Sequence, residues 1–142
     1  MEAQQKTVLF LCTGNSCRSQ MAEAWVNALR SKDWQAYSAG IETHGMNPHA
    51  VSVMAEAGVD MSAHYSKKLD ELKGQQFDLV VTVCDHAAEH CPILPVATSM
   101  KHVPFDDPPA LAKLAANEAE SLNSYRQVRD QIRLFIESPA LS

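Results

Sequence analysis

Two continuous apolar runs dominate the hydrophobic pattern: KTVLFLC from Lys6 to Cys12 and FDLVVTVC from Phe77 to Cys84. Continuous rather than alternating apolar positions are typical of strands that are buried on both faces, as in a parallel sheet. WQAYSAG, from Trp34 to Gly40, predicts a further strand that a glycine closes. A weaker strand is predicted from Ser99 to Phe105, where Pro104 interrupts the pattern.

Helical patterns alternate with these strands. Arg18 to Arg30 is rich in Ala, Met, Glu and Leu and carries apolar residues at helical spacing. Asn47 followed by Pro48 is a good helix start, and Gly58 is the predicted stop. Asn123 to Glu137 closes the chain as a helix. This order predicts an α/β fold in which residues 1–142 form one domain, a four-stranded parallel sheet with helices on both faces.

In folds of this class the ligand site lies at the carboxyl ends of the strands. Cys12 and Cys84 both come at the end of a predicted strand. Because parallel strands end at the same edge of the sheet, these two distant cysteines are expected to share one edge. A candidate site is therefore predicted there.

The loop after the first strand reads CTGNSCRS and leads directly into a helix. A helix N-terminus offers unpaired N–H donors and partial positive charge, which suits an anion. Arg18 can add a forked donor to two oxygens of a tetrahedral oxyanion, and the same charges favour the thiolate of Cys12. The candidate anion-binding residues are Thr13, Gly14, Asn15, Ser16, Cys17, Arg18 and Ser19.

Individual roles within this loop differ. Gly14 and Asn15 suit backbone conformations with positive φ, which a nest of N–H groups can require. Ser19 is expected to donate to the sulfur of Cys12, whereas Cys17 is expected to fill space. A lone Cys-x5-Arg match favours a buried cysteine and a surface arginine. The strand before it, the glycine within it and the helix after it favour the functional interpretation.

Composition narrows the class of protein. The chain has 142 residues, of which 46% are hydrophobic and 20% charged, and its net charge is −5. The acidic balance argues against nucleic-acid binding and against docking on anionic lipid. No stretch approaches the ~18 consecutive apolar residues of a membrane helix, and the N-terminal MEAQQK has no signal-like run. A cytoplasmic protein is expected, in which cysteines are reactive, metal-binding or inert rather than structural disulfides.

Cys84 and Cys91 form a second pair of thiols, seven residues apart. A short helix is predicted between Asp85, as its cap, and Pro92, as its stop. At ~1.5 Å rise per residue this helix separates the two α-carbons by ~10 Å. A disulfide needs about 4.4–6.8 Å, so a bond between them requires the helix to unwind. Inert thiols remain an alternative, whereas the C-x4-C and C-x6-C spacings lack the CxxC pairs of a zinc site.

The motifs CTGNSCRS, YSAGIETHGMNP and FDDP together resemble the low-molecular-weight protein tyrosine phosphatase fold family. Within it they resemble the thioredoxin-coupled arsenate reductases, from about Thr7 to the final helix. The resemblance implies reduction of arsenate to arsenite, in arsenic detoxification, by a relay through Cys12, Cys84 and Cys91. It also implies thioredoxin as the reductant of the last disulfide. No cofactor and no metal are expected, and the chain is expected to act as a monomer.

The same resemblance assigns a general acid. Asp106 and Asp107 precede prolines, where aspartate is most often a turn or cap residue. In the phosphatase fold the aspartate directly before proline protonates the leaving group, which corresponds to Asp107 here. Pro109 stands where phosphatases of this fold carry an aromatic residue. This difference weakens the alternative function, a tyrosine phosphatase, and a redox sensor without enzyme activity remains a third possibility.

Members of the family often carry a potassium site beside the loop, which would correspond here to Asn15, Glu23 and Ser38. The carboxylate expected after His64-Tyr65-Ser66 is absent, and Lys67 stands in its place. The ammonium group of Lys67 is expected to occupy the cation position, unless Lys67 is an ordinary surface lysine. We therefore predict no strong potassium dependence.

Overall fold

The computed structural model describes residues 5–72, 75–83 and 97–139. Its sheet has four parallel strands in the order β2-β1-β3-β4, which confirms the predicted α/β class and parallel sheet. The strands are β1 (Lys6–Cys12), β2 (Trp34–Gly40), β3 (Phe77–Thr82) and β4 (Ala97–His102).

Helices connect and cover the sheet in the described ranges. They are α1 (Arg18–Leu29), α2 (Pro48–Glu56), α3 (Pro108–Ala112) and α4 (Glu118–Glu137), with a 3₁₀ turn at Leu69–Leu72. Helix α1 packs against β1 and β2, and α4 packs against the other three helices. None of the helices described is long and apolar enough to cross a membrane.

The core explains why the apolar runs become strands. Val8, Leu9 and Phe10 in the middle of β1 are fully buried, because β1 has neighbours on both edges and packed layers on its faces. Val128 and Ile132 of α4 are also completely buried, at the helical spacing that the sequence showed. Helix α2 begins as predicted, since the side-chain oxygen of Asn47 accepts hydrogen bonds from two backbone N–H groups of the first turn.

The last third of the chain differs from the sequence-based expectation. Helix α4 begins at Glu118 rather than Asn123, because Asn117 caps it and Glu120 reaches back to the N–H of Ala116. Helix α3, which begins with two prolines, was not predicted. Strand β4 runs from Ala97 to His102 rather than from Ser99 to Phe105, since Pro104 has no N–H to continue the ladder.

The strand order places the site of interest. From β1 the chain crosses to β2 on one side, and β3 lies on the other, so the carboxyl end of β1 is a topological switch point. There the backbone N–H of Val83 donates to the carbonyl oxygen of Leu11 at 2.9 Å. Val83 therefore lies beside the end of β1 that carries Cys12, and Cys84 follows Val83 directly in the sequence.

Candidate active site

The loop between β1 and α1 is held from its outer side by the segment that follows β2. Four backbone hydrogen bonds hold the loop, and in each a loop carbonyl oxygen accepts from a backbone N–H of this segment at 3.0–3.3 Å. The pairs are Cys12 with Ile41, Thr13 with Glu42, Gly14 with His44 and Ser16 with Asn47. In a planar trans peptide the next N–H points opposite to the carbonyl. The N–H groups after these carbonyls therefore point away from the supporting segment, which is the orientation that the predicted nest of donors requires.

Asn15 has the conformation that the sequence predicted, and Gly14 does not. Asn15 is completely buried with φ of 51°, the left-handed region that costs a non-glycine residue roughly 1–3 kcal/mol. Gly14 does not adopt a positive φ, so that prediction was wrong. Glycine is required there for space, because a β-carbon would lie 2.2 Å from Nδ1 of His44.

Arg18 connects the loop to the ends of two other strands. Its Nη1 donates to the carbonyl oxygen of Phe105 at 3.0 Å and, more weakly, to that of Val83 at 3.4 Å. Its Nη2 lies 3.7 Å from a carboxylate oxygen of Asp107. These contacts leave N–H groups of the guanidinium for an oxyanion, which is the use that the sequence predicts for Arg18.

The two cysteines of the loop differ in environment. Cys12 ends β1, directly before the nest of N–H groups and the N-terminus of α1, where the helix dipole favours a thiolate. For Cys17, burial raises the pKa of the thiol to about 12, against the lowering effect of Arg18 and with a further rise from Asp107. Cys17 is therefore a neutral thiol at physiological pH, in agreement with a packing role.

The two aspartates of FDDP are separated by their contacts. Asp106 accepts a hydrogen bond from Gln131 of α4 at 3.2 Å, whereas Asp107 lies beside Arg18. Asp107 also occupies the N-cap position of α3 without a capping hydrogen bond from its side chain, which is about half exposed. This position beside Arg18 is compatible with the proton transfer predicted for Asp107, which stays a prediction.

A buried polar cluster lies behind the loop. Glu23 accepts a hydrogen bond from Ser38 at 3.0 Å, and Lys67 Nζ lies 3.8 Å from the same carboxylate oxygen. Nδ1 of His64 lies 3.1 Å from the other oxygen of Glu23. Lys67 is only 8% exposed, so it is not an ordinary surface lysine. Within the described ranges, no cluster of three or more His, Cys, Asp or Glu residues is arranged to hold a metal ion.

Potassium is expected to have little effect, because the Lys67 ammonium already supplies positive charge beside Glu23. We expect the melting temperature in potassium chloride to match that in tetramethylammonium chloride within about 2 °C. Lys67→Gln should lower the melting temperature and make it sensitive to potassium, since it removes the positive charge beside the partly buried Glu23 carboxylate. A large rise with potassium in the unsubstituted protein, absent with the larger cation, would refute this prediction.

The contacts by which Ser66, Lys67 and Gln20 support the loop were not predicted from the sequence, although Lys67 was predicted at the cation position. The hydroxyl group of Ser66 donates to the Gly14 carbonyl at 2.8 Å, and the backbone N–H of Lys67 donates to the side chain of Asn15 at 2.9 Å. Gln20 is fully buried and hydrogen-bonds to Asn15. The only signal for Gln20 was a glutamine among small and apolar residues of a helix, which is too common to be specific.

The predicted relay is described only in part. Cys12 and the loop from Thr13 to Ser19 lie at the carboxyl end of β1, where Arg18 lies beside Asp107. Cys84 and Cys91, with the short helix predicted between them, fall outside the described residues. Their roles stay predictions.

Comparisons with known proteins agree with this geometry. The family model described as low molecular weight phosphotyrosine protein phosphatase matches residues 7–134. A protein named arsenate reductase 2 from Staphylococcus epidermidis is 46% identical over 134 residues, which is 94% of this chain and 95% of that protein. A solved arsenate reductase in its phosphate-binding state is 28% identical, with a TM-score of 0.76 over 94% of this chain and 95% of that one. A low molecular weight protein tyrosine phosphatase from T. tengcongensis is also 28% identical, with a TM-score of 0.69 over 94% and 96%.

Proposed function

The chain belongs to the low molecular weight phosphotyrosine protein phosphatase family, and from this premise we propose that it is an arsenate reductase, which reduces arsenate to arsenite. The loop and Arg18 suit any tetrahedral oxyanion, so they do not separate arsenate from phosphate. What favours reduction is the position of Val83, which lies beside the end of β1 and contacts Arg18. The chain thus reaches the anion site at Val83, and the next residue in the sequence is a second cysteine, Cys84.

The need for a second thiol separates arsenate reduction from phosphate hydrolysis. A phosphatase needs one nucleophile and water, because thiols do not reduce phosphorus(V). Arsenic(V) accepts two electrons, so a reductase needs a second thiol to displace arsenite from the first. The curated relatives of this chain, which carry the name arsenate reductase, support the same choice.

In the first step, the thiolate of Cys12 attacks arsenate that is bound by the loop N–H groups and Arg18. One arsenate oxygen leaves as water, with a proton from Asp107, and a Cys12–arsenic bond forms. Asp107 is suited to this proton transfer because it lies next to Arg18 and its side chain makes no capping hydrogen bond.

In the second step, the thiolate of Cys84 attacks the sulfur of Cys12. The sulfur–arsenic electron pair stays on arsenic, which leaves as arsenite, and a Cys12–Cys84 disulfide remains. Cys91 then attacks Cys84, which releases Cys12 as thiolate and leaves Cys84–Cys91. We propose thioredoxin as the dithiol that supplies the two electrons and two protons to regenerate the enzyme.

Two broader properties belong to the same proposal. A relay of thiols that returns to the reduced state works in a reducing compartment, which supports a cytoplasmic location. All groups proposed for catalysis come from one chain, which supports a monomer. Size-exclusion chromatography with light scattering checks the second point, and a dimer that shares its site between chains would contradict it.

The experiment that tests this function measures arsenite formation with thioredoxin, thioredoxin reductase and NADPH. We expect turnover in the unsubstituted protein and none in either variant, because the relay stops at the Cys12–arsenic adduct in Cys84→Ser and at the Cys12–Cys84 disulfide in Cys91→Ser. A phosphatase instead hydrolyses an aryl phosphate equally well before and after both substitutions. When glutathione replaces thioredoxin as the reductant, turnover should be low, since the final disulfide is intramolecular and is better reduced by a dithiol than by a monothiol.

The same variants test the predicted unwinding between the two relay cysteines. Hydrogen exchange should show lower protection of residues 85–90 after oxidation than before, because the disulfide is too short for a helix. Cys91→Ser should keep its protection under oxidation. Equal protection in both redox states of the unsubstituted protein would contradict the unwinding.

A further inference from the structure

Five successive carbonyl groups of the anion loop, from Cys12 to Ser16, are held in place by hydrogen bonds. Four are held by backbone N–H groups of the segment 41–47, as described above. The fifth, that of Asn15, accepts instead from the side chain of Gln20, with Nε2 at 3.2 Å. The orientation of the peptide between Asn15 and Ser16 therefore depends on a side chain, whereas backbone contacts fix the others.

Gln20 also fixes the side chain of the same residue. Its Nε2 lies 2.7 Å from Oδ1 of Asn15 and 2.9 Å from the carbonyl oxygen of Tyr65. Asn15 has a positive φ, a conformation that persists only where its surroundings determine it. By contacting both the carbonyl oxygen and the side chain of Asn15, Gln20 restrains the ψ rotation of Asn15 and the position of its side chain.

The orientation of the Gln20 amide is set by its neighbours. Its nitrogen faces three oxygens, and its oxygen lies 2.9 Å from Nδ1 of His64. Nδ1 of His64 also faces Glu23, so that ring nitrogen carries the proton. A carboxylate at position 20 has no donor to offer and places an oxygen against the oxygens of Asn15 and Tyr65.

We propose that Gln20 is a positioning residue of the anion site, which holds the Asn15–Ser16 peptide with its carbonyl outward and the N–H of Ser16 toward the bound oxyanion. If this peptide turns over, a donor is lost and a carbonyl oxygen with partial negative charge replaces it. Gln20 itself does not touch the anion. The proposal rests on the proposed function only in taking the ligand to be a tetrahedral oxyanion.

The test is titration of the reduced, full-length protein with inorganic phosphate by calorimetry. Gln20→Met keeps the length of the side chain but removes its hydrogen bonds, and we expect a loss of affinity of about tenfold or more. Gln20→Glu should lose more phosphate affinity, because its carboxylate adds repulsion against the oxygens of Asn15 and Tyr65. Gln127→Glu makes the same change in charge on the exposed face of α4 and should bind phosphate within about twofold of the unsubstituted protein.

A second measurement separates positioning from a general loss of structure. On addition of phosphate, the ¹H–¹⁵N signal of Ser16 should move in the unsubstituted protein but little in Gln20→Met, while that of Gly14 still moves. The Michaelis constant for arsenate should rise by the same factor as the phosphate dissociation constant. Gln20→Glu buries a charge, so if it fails to fold, Gln20→Met decides the matter.

Two outcomes overturn the proposal: phosphate affinity in Gln20→Met within about twofold of the unsubstituted protein, or an unchanged response of Ser16. Its failure is distinguishable from failure of the proposed function. If the unsubstituted protein binds phosphate but forms no arsenite, the proposed reaction is refuted, and phosphate affinity still decides the positioning role of Gln20. If Gln20→Met binds phosphate normally, the positioning role of Gln20 is refuted and the proposed reaction is unaffected.

Discussion

Replacement of Cys12 by serine is expected to lower arsenite formation by at least about 10³-fold, the scale seen when a catalytic nucleophile is removed. A serine hydroxyl at the end of β1 has a far higher pKa than a thiol, so the loop and Arg18 cannot ionise it. Serine also cannot form the disulfide through which two electrons leave. The loss should appear in a single turnover as well as in steady state.

Binding of phosphate provides the control for this substitution. The anion is proposed to be held by backbone N–H groups and by Arg18, and the Cys12 thiolate lies beneath it as a negative charge. Cys12→Ser should therefore bind inorganic phosphate at least as tightly as the unsubstituted protein. Arsenite formation above about one tenth of normal in Cys12→Ser would exclude Cys12 as the nucleophile.

Alkylation of the two loop cysteines gives a comparison within one molecule. Cys12 and Cys17 are both about 5% exposed or less, so access alone does not separate them. The raised pKa of Cys17, about 12, keeps it a neutral thiol, whereas the thiolate of Cys12 is favoured by the helix N-terminus. Iodoacetamide at neutral pH should modify Cys12 first, and phosphate should protect it.

The sequence was sufficient where one local pattern decides the structure. The strands β1 and β3 follow from continuous apolar runs, and α2 follows from Asn47 and Pro48 at its start. The helix α4 was predicted, but its start was placed at Asn123, since EAESLN from residue 118 carries Leu122 as its one large apolar residue. Its start is determined by Asn117 and Glu120, a pair that a search for capping boxes finds.

The candidate site was predictable in its chemistry and not in its supports. Cys12 and Arg18 belong to one short motif, whose strand before and helix after suggest their roles, whereas the role predicted for Asp107 came from the family resemblance. The supports come from distant parts of the chain: residues 41–47 hold four loop carbonyls, and Val83 and Phe105 contact Arg18. Such contacts depend on the strand order, which brings β2, β1 and β3 together and which hydrophobic periodicity does not specify.

Gly14 illustrates the difference. A glycine in an anion loop suggested a positive φ, because that is the commonest reason for glycine in a turn. The structure has positive φ at Asn15, as predicted, but not at Gly14, where the absence of a side chain leaves room for the ring of His44. His44 comes from the same segment 41–47 whose backbone holds the loop. The packing of that segment, rather than the local conformation, determines which residue position 14 accepts.

Arg18→Lys is the second substitution from which we expect a large effect, a fall in kcat/KM for arsenate of about 10²–10³-fold. Arginine binds an oxyanion with a planar fork while another of its nitrogens donates to the carbonyls of Phe105 and Val83. Lysine has one nitrogen and cannot make both sets of contacts. The dissociation constant of phosphate should rise in the same variant.

Arg30→Lys is the matched control, because Arg30 also donates through Nη1 to a main-chain carbonyl, that of Ile136 at 3.0 Å, but lies at the far end of α1. It should alter stability and leave the kinetics of arsenate reduction unchanged. An equal fall in kcat/KM in both variants would mean that the effect of Arg18→Lys is structural.

The division of the Arg18→Lys effect between kcat and KM carries further information. If Arg18 only binds the anion, saturating arsenate should restore most of kcat. Because Arg18 also holds the carbonyl of Val83, one residue before Cys84, we expect kcat to stay low at saturation, with slower release of arsenite in a single turnover. Full recovery of kcat would restrict Arg18 to anion binding and leave the approach of the second thiol to the packing of β3 against β1.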